Sequence, residues 1–594
     1  MDRFFCVRTL MIAKRISILF IAFALPLCFS IRLEDGFELA QSVALLWILA
    51  FIALLLVGTS WELNHIQNRF MFVCFGLFWL LGFYSFLHLR EETYFYLPTQ
   101  NYLWVLGAVL LMVPVVREMD KTRLYIFLVL SGVMGAFYSF AQALNLDLPG
   151  WSTNFAGRSF STLGNPIFWA GYLLVVLPLA LYLAGTTPRG WKRVFAVFAV
   201  LVLMVSLVTT QTRGAWLGFG FEVVVLVFFL GRKNPAFKYL MAGLLLFGMV
   251  LMVNPSLRQR VLSTLAVQSE DAKGRYFLWK VAEQQWESHK WLGQGPGGYA
   301  AYFHQVQSQL SQAEPLRPFW SAFHAHNEYL EFLADRGLVG VVFGALFVAG
   351  LFWVRWKEAW SNKNKMTSNL AELAILFGFA FYCFFHFPFS IVPITAALAL
   401  LMNPFWGNQE ASRKSPWVWI PVSLFLIVAC TLSMDCLIRN AKLHRAIDLL
   451  SQKQSEQALK LLTFKDEQAV LHYWDPRVSV QRSEAFQVLG RIEEATRALE
   501  ENLRIYPDSA DVDAALCMLY GQQKRWAEAQ AAGEKALQIA PSHPGALNNM
   551  AVLSYLRGDK RQAIRYLLQL QKAEQAWGDK DNASETWQKI LSLS

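Results

Sequence analysis

Side chains that can move protons are concentrated in residues 323–331, which read FHAHNEYLE and directly precede a run of membrane-length hydrophobicity. The stretch contains two histidines, one amide and two carboxylates: His324, His326, Asn327, Glu328 and Glu331. A histidine titrates near neutral pH and can therefore take a proton from a hydroxyl as a general base. Ionisable groups at a membrane boundary are costly and usually functional, so the stretch predicts a catalytic site. A solvated helix N-terminus is the alternative interpretation.

Three arginines at other polar boundaries predict an anion-binding site beside these histidines. Arg213 lies in TRGAWLG (212–218), where only a few residues separate two apolar runs, so its position is fixed. Arg275 lies in a long polar segment and Arg158 in the loop 145–164. A guanidinium stays charged and forms paired hydrogen bonds with phosphate oxygens. For a lone boundary arginine, extension of the side chain towards water is the alternative.

Histidines beside arginines predict attack by an alcohol on a phosphate-bearing substrate. The segment 254–336 contains no DxD, HExxH, Walker or GxSxG sequence, so a metal ion, a nucleotide or an acyl-serine mechanism is not indicated. We expect no cofactor. The seven cysteines show no CxxC pairing, and neither a disulfide framework nor a zinc site is predicted.

The elements that must position these residues are membrane helices. Of 594 residues, 55% are hydrophobic and 16% are charged, and the mean hydropathy is +0.34. Backbone polar groups in lipid must be satisfied within the segment, so apolar stretches of roughly 20 residues are predicted to be helices. We expect an all-α polytopic bundle over residues 1–436, with about 13 spans, or 12 if the first is cleaved as a signal peptide. The spans are predicted at 16–30, 41–58, 70–87, 101–116, 124–144, 165–184, 194–209, 214–230, 239–253, 337–354, 369–385, 391–405 and 417–436.

The distribution of Lys and Arg predicts the orientation of the bundle. Short connections on one side contain 20 of these residues and those on the other side contain 4. Because Lys and Arg collect in cytoplasmic loops, we expect a cytoplasmic N-terminus, with the polar segment 254–336 and the C-terminal region outside. The net charge of +10 follows from this bias and does not indicate nucleic acid.

From about residue 441 the composition changes to that of polar, amphipathic helices. Ala495, Ala529 and Ala563 are spaced by 34 residues, as are Pro507 and Pro541. A 34-residue period with small residues at the helix crossing resembles tetratricopeptide repeats. We predict a helical-repeat domain over 441–594 that binds or positions a protein partner; plain helical hairpins without a ligand are the alternative.

Four motifs in this order resemble the O-antigen ligase superfamily, which includes O-antigen ligases, O-antigen polymerases and protein O-oligosaccharyltransferases. They are TRGAWLG at 212–218, GRYFLW at 274–279, GQGPG at 293–297 and HNEYL followed by GLVG within 326–340. The resemblance covers roughly residues 150–400.

The resemblance implies that a glycan moves from an undecaprenyl-diphosphate-linked donor to a hydroxyl on the periplasmic face of the bacterial inner membrane, with inversion and without a metal. It implies that the diphosphate is held by Arg213 and Arg275, with Arg158 as a further candidate. His326 corresponds to the catalytic histidine, and His324 is a second candidate. Further site candidates are Asn165, Asn327 and His386.

The acceptor stays open among the lipid A-core, a growing glycan and a protein. Protein-glycosylating relatives tend to carry a glutamine at the end of a Gly-Asn-x-Asn-Gln region, where residues 164–168 of this chain read GNPIF, and a tyrosine before Pro388; this chain has neither. A polytopic transporter or scaffold is the non-enzymatic alternative. Carriers coupled to ions need acidic sites within the membrane, whereas Glu222 is the main carboxylate that we find in the predicted spans.

Overall fold

The computed structural model describes residues 13, 15–30, 32–33, 37–57, 120–146, 155, 157–230, 258, 270–313, 322–361, 366–402, 419–463, 476–505, 509–577 and 580–593. Every regular element within these ranges is a helix, which confirms the predicted all-α class. The predicted spans at 70–87, 101–116 and 239–253 lie outside the described residues. The count of spans therefore stays a prediction.

The first part of the membrane bundle contains helices that are apolar on all sides. They are α1 (Arg15–Leu27), α2 (Glu38–Val57), α3 (Lys121–Ala143), α4 (Pro166–Thr186), α5 (Trp191–Thr209) and α6 (Arg213–Leu230). Helix α4 is the central helix of the bundle, because 78% of its most apolar 18-residue stretch is buried within the protein. Buried polar side chains connect helices of the bundle, as where Trp169 Nε1 donates to Ser206 Oγ at 2.8 Å.

The polar segment before the histidine stretch forms α7 (Glu270–Ser288), the short α8 (Gly298–Ala301) and α9 (Phe303–Ala313). These helices have their own hydrophobic core, in which Phe277, Val281, Tyr299 and Phe303 pack against Ala325. The histidine stretch is thus attached to helices α7 to α9 as well as to the membrane bundle.

Helices α10 (Glu328–Ser361), α11 (Met366–Tyr382) and α12 (Val392–Leu401) follow. Helix α10 bends at Gly337, whose φ is +61°. A Cβ at Gly337 would lie 2.4 Å from the carbonyl of Trp291, so only glycine fits here. Asp335 accepts hydrogen bonds from the backbone N–H groups of Gly297 and Tyr299, both at 2.8 Å. The GQGPG motif therefore fastens helices α7 to α9 to the first turns of α10.

In the described part of the chain, α3, α4, α5 and α10 are long and apolar enough to cross a membrane. Only 17% of the most apolar window of α10 is buried within the protein, against 78% for α4. Helix α10 therefore lies at the edge of the bundle, where lipid would surround it.

A buried charge cluster lies at the end of the bundle where α3 and α11 begin. The Glu372 carboxylate is fully buried and forms ion pairs of 2.9 Å with both Arg355 Nε and Lys121 Nζ. Tyr125 donates a hydrogen bond to the same carboxylate, and Arg355 also pairs with Glu358 at 2.8 Å. Glu372 falls within the predicted span 369–385, so Glu222 is not the main carboxylate of the predicted spans. The burial of Glu372 is tolerated because the carboxylate lies near the end of the span and has three partners.

Helix α13 (Trp419–Ser451) runs without interruption from the last predicted span into the polar C-terminal region. Paired helices follow: α14 (Ser455–Leu462), α15 (Pro476–Val488), α16 (Ile492–Ile505), α17 (Ala510–Gln522), α18 (Trp526–Ile539), α19 (Pro544–Leu556), α20 (Lys560–Trp577) and α21 (Lys580–Leu593). Helices α15, α17 and α19 begin 34 residues apart, as do α16, α18 and α20. Ala495, Ala529 and Ala563 are fully buried at the helix crossings. The tetratricopeptide-like repeat predicted from the sequence is confirmed.

The repeats pack against helix α9 of the polar segment that precedes the histidine stretch. Ser308 Oγ on α9 donates a hydrogen bond to the carbonyl of Gln538 on α18 at 3.2 Å. His304 of α9 also contributes electrostatically to lowering the pKa of Asp511, which depends first on a hydrogen bond from His543. The repeats and helices α7 to α9 therefore lie on the same side of the bundle.

Candidate active site

Four polar connections meet at the end of the bundle opposite the Glu372 cluster. They are the loop before α4, the turn between α5 and α6, the stretch before α10 and the loop between α11 and α12. Glu328 N donates to the carbonyl of Cys383 at 2.9 Å, and Ser159 N donates to the carbonyl of Thr209 at 3.2 Å. These backbone contacts join the connections in two pairs.

Arg158 holds the turn that carries Arg213. Its Nε donates to the carbonyl of Thr210 at 2.9 Å and its Nη2 to Thr212 Oγ1 at 3.1 Å. Gln211, within the turn, has a left-handed φ of +49°. The Arg158 side chain thus stabilises a strained turn directly before the first residue of α6, which is Arg213.

His386 lies against the first turn of α6 and is almost completely buried, with 3% of its surface exposed. A Cβ on Gly214 would lie 2.8 Å from His386 Nε2, which explains why a glycine follows Arg213. Burial lowers the pKa of His386 well below its usual value, and the charges of Arg275, His326 and Arg158 lower it further. Two arginines, Arg158 from the loop before α4 and Arg275 from α7, therefore act on one neutral imidazole.

His326 is the half-buried imidazole at the centre of the stretch before α10. Burial lowers its pKa to about 4, and the neighbouring His324 and Arg275 add to this effect, while Glu331 opposes it. With a pKa of about 4 the imidazole is unprotonated at neutral pH. It can therefore accept a proton, as a general base must.

His324 has a defined partner on each side. Its ring stacks on Phe387 with centroids 3.9 Å apart, and its Nδ1 lies 2.7 Å from Glu331 Oε1. Phe387 also contacts the ring of His326 edge-on at 4.9 Å. Sequence reasoning gave neither Phe387 nor Glu331 a role of its own; the signals were the position of Phe387 between His386 and Pro388 and that of Glu331 in the histidine stretch.

Asn165 and Asn327 cap helices. Asn165 Oδ1 accepts from Ile167 N at 2.9 Å at the start of α4. Asn327 Oδ1 accepts from Tyr329 N and Leu330 N, both at 3.1 Å, at the start of α10. Capping by asparagine satisfies backbone N–H groups that lack an intrahelical partner. The two amides thereby fix where the loop before α4 and the histidine stretch enter their helices.

Of the predicted site residues, the structure brings Arg158, Arg275, His324, His326 and His386 into one electrostatically connected group. Arg275 is half-buried on the second turn of α7 and acts on both His326 and His386. Arg213 is also half-buried, one residue before the glycine that faces His386. The group has the composition needed to hold an anion beside a base.

Residues 197–345 match the family model described as O-Antigen ligase. The match begins in α5 and ends in α10, so it includes Arg213, Arg275, His324 and His326. Residues 197–345 are therefore similar to O-antigen ligases, which supports a membrane glycosyltransferase-type function, and tetratricopeptide-like repeats follow this region.

Comparison with curated proteins finds no match. Among solved structures, MamA of Desulfovibrio magneticus RS-1 is 16% identical over 26% of this chain and 94% of that chain, with a TM-score of 0.20. Pseudomonas aeruginosa pilF is 19% identical over 29% of this chain and 83% of its own, with a TM-score of 0.21. Yeast Tom70 is 10% identical over 89% of this chain and 93% of its own, with a TM-score of 0.20.

Proposed function

We propose that this protein transfers a glycan from an undecaprenyl-diphosphate-linked donor to a hydroxyl acceptor on the periplasmic face of the inner membrane. One observation carries the proposal: His326, neutral at physiological pH, lies in the same electrostatic group as Arg275 at the polar end of a membrane bundle. The transfer requires a base that accepts the proton of the hydroxyl and a fixed cation that stabilises the departing phosphate group.

In the proposed reaction His326 takes the proton from the acceptor hydroxyl. The hydroxyl oxygen then attacks the anomeric carbon of the glycan and forms the new C–O bond. The anomeric bond to the diphosphate breaks, and the diphosphate oxygen leaves with the electron pair. Direct displacement of this kind inverts the anomeric carbon.

The arginines supply the positive charge for the leaving group. Arg213 and Arg275 are half-buried, so a guanidinium–phosphate contact here would be stronger than the same contact in water. Arg158 supports the turn of Arg213 through two hydrogen bonds. With permanent cations stabilising the diphosphate, the proposed transfer needs no metal, and we expect EDTA to leave its rate unchanged.

The periplasmic location rests on charge and on one contact. The excess of Lys and Arg in the connections on the other side supports an external site. The hydrogen bond between Ser308 and Gln538 supports an external position for the repeats as well, because α9 belongs to the same segment as the site.

A protein acceptor is the second candidate for the hydroxyl. The packing of α18 on α9 favours it, because the repeats lie next to the segment that leads into the histidine stretch. An acceptor protein bound by the repeats would then be near His326. The lipid A-core is the first candidate, because residues 197–345 match the family model described as O-Antigen ligase.

The test is glycan transfer in cells that carry His326→Ala or Arg213→Ala in place of the wild-type protein. General-base catalysis contributes about 10²-fold to 10⁴-fold, so we expect one glycoconjugate to disappear in the His326→Ala strain. Lipopolysaccharide and glycoprotein profiles are compared, and the product that is lost identifies the acceptor.

Two exposed residues provide matched controls. Arg189→Ala removes an arginine from the opposite end of the bundle, and His289→Ala removes a histidine beyond the end of α7. Both controls should leave both profiles unchanged. If His326→Ala and Arg213→Ala reach the membrane at wild-type levels and neither profile changes, the transferase assignment is wrong.

A further inference from the structure

Glu331 is a buried carboxylate that the proposed mechanism does not use. It lies in the first turn of α10 and is 7% exposed. Its two oxygens have separate partners: Oε1 lies 2.7 Å from His324 Nδ1, and Oε2 accepts a hydrogen bond from Ala325 N at 2.9 Å. The carboxylate therefore binds both residues that directly precede His326.

The backbone at His326 needs such a restraint. Its φ is +52°, in the left-handed region that side chains other than glycine rarely adopt. The ring of His324, held by Glu331, stacks on Phe387, and the ring of His326 contacts the same phenyl group edge-on. Fixing His324 and Ala325 thus fixes where the His326 imidazole lies.

The charge of Glu331 also bears on the proton that His326 receives. The groups that face His326 are His324 in the same stretch, Arg275 from α7, Glu331 from α10 and His386 from the loop after α11. His324 and Arg275 disfavour a protonated His326, whereas Glu331 favours it. When His326 takes the hydroxyl proton, Glu331 is the anion in this set that stabilises the new charge.

We propose that Glu331 is a positioning residue of the transfer reaction, which holds the turn of His326 through His324 and Ala325 and offsets the positive charge that forms on His326. This inference rests on the proposed function. In the proton-transfer step the proton moves from the acceptor hydroxyl to His326, and Glu331 exchanges no proton.

The experiment measures transfer by the full-length protein in membrane vesicles that contain the native donor and acceptor, as a function of pH. In Glu331→Gln one oxygen can still accept from Ala325 N, but the negative charge is lost. We expect kcat to fall about tenfold with an unchanged KM for the donor, because the base is weakened and not the donor site. Since Glu331 raises the pKa of His326, the acid limb of the rate profile should move to lower pH in this variant.

Two further variants separate geometry from charge. Glu331→Asp keeps the charge on a shorter side chain, so we expect a lower kcat with the acid limb at its wild-type pH. Glu331→Ala removes both contacts and should lose about 100-fold. Glu283→Gln, on the exposed face of α7, is the control and should behave as wild type.

The inference is overturned if Glu331→Gln keeps the wild-type kcat, or if its acid limb does not move although kcat falls. A rise in KM with unchanged kcat would also overturn it, because Glu331 would then bind substrate. Failure of the proposed function is distinguishable from these results, since in that case His326→Ala would also retain transfer.

Discussion

At one end of the membrane bundle Arg355 and Lys121 converge on the carboxylate of Glu372, while at the other end two imidazoles lie among arginines. Both groups are buried or half-buried, and both involve α10 and α11. The Glu372 cluster satisfies its charges within the protein. At the histidine end burial, reinforced by the charge of Arg275, lowers the pKa of His326 and of His386 and keeps both rings unprotonated.

The difference separates charged groups that stabilise the fold from titratable groups that can react. An ion pair whose partners are all protein groups can fasten helices together, and removal of one partner leaves a buried charge uncompensated. A base must instead be neutral and able to take a proton. The two ends can therefore be distinguished by substitutions that affect stability at one end and activity at the other.

The largest expected effect is on stability, at the Glu372 end. Glu372→Gln leaves Arg355 and Lys121 without their buried carboxylate, so we expect the free energy of unfolding to fall by about 3–5 kcal/mol. Thermal unfolding of the full-length protein in detergent measures this change. The partly exposed Glu358→Gln is the control, with an expected loss below about 1 kcal/mol. An unchanged unfolding temperature in Glu372→Gln would remove the distinction between the two ends.

An intermediate effect on activity is expected at the histidine end. Gly214→Ala adds a Cβ that would lie 2.8 Å from His386 Nε2, so the ring or the helix must move. Small displacements in an active site can reduce the rate strongly, and we expect transfer to fall about 10-fold to 100-fold. Gly220→Ala on the same helix is the matched control, because nothing lies within 4 Å of its added Cβ. Equal activity of the two variants would show that the contact between α6 and His386 does not matter for transfer.

The smallest effect is expected at Asn165, where it separates helix capping from substrate binding. Asn165→Ala should lower the free energy of unfolding by about 1 kcal/mol, whereas Asn165→Ser retains a capping oxygen and should restore most of it. Transfer per folded molecule should be similar in both variants. Loss of transfer in Asn165→Ser, at normal stability, would instead mean that the amide contacts the donor.

Helix positions followed closely from the sequence where hydrophobicity and length decide them. The span predicted at 165–184 is observed as Pro166–Thr186, and the one predicted at 214–230 as Arg213–Leu230. The span predicted at 337–354 begins earlier, at Glu328, because Asn327 caps a polar first part of α10 before the bend at Gly337. Hydropathy locates only the apolar part of a helix, so it does not predict such a polar extension.

The sequence by itself determined the helical class, the 34-residue repeat and the residue types of the site, since periodicity, composition and motif spacing are local properties. Only the tertiary structure decided which groups surround His326, because Arg275 on α7 and Phe387 and His386 in the loop after α11 lie far from it along the chain. It also decided that Glu372 is paired, because Lys121 and Arg355 lie far from it along the chain. Contacts between distant segments depend on how helices pack, and no local pattern records them.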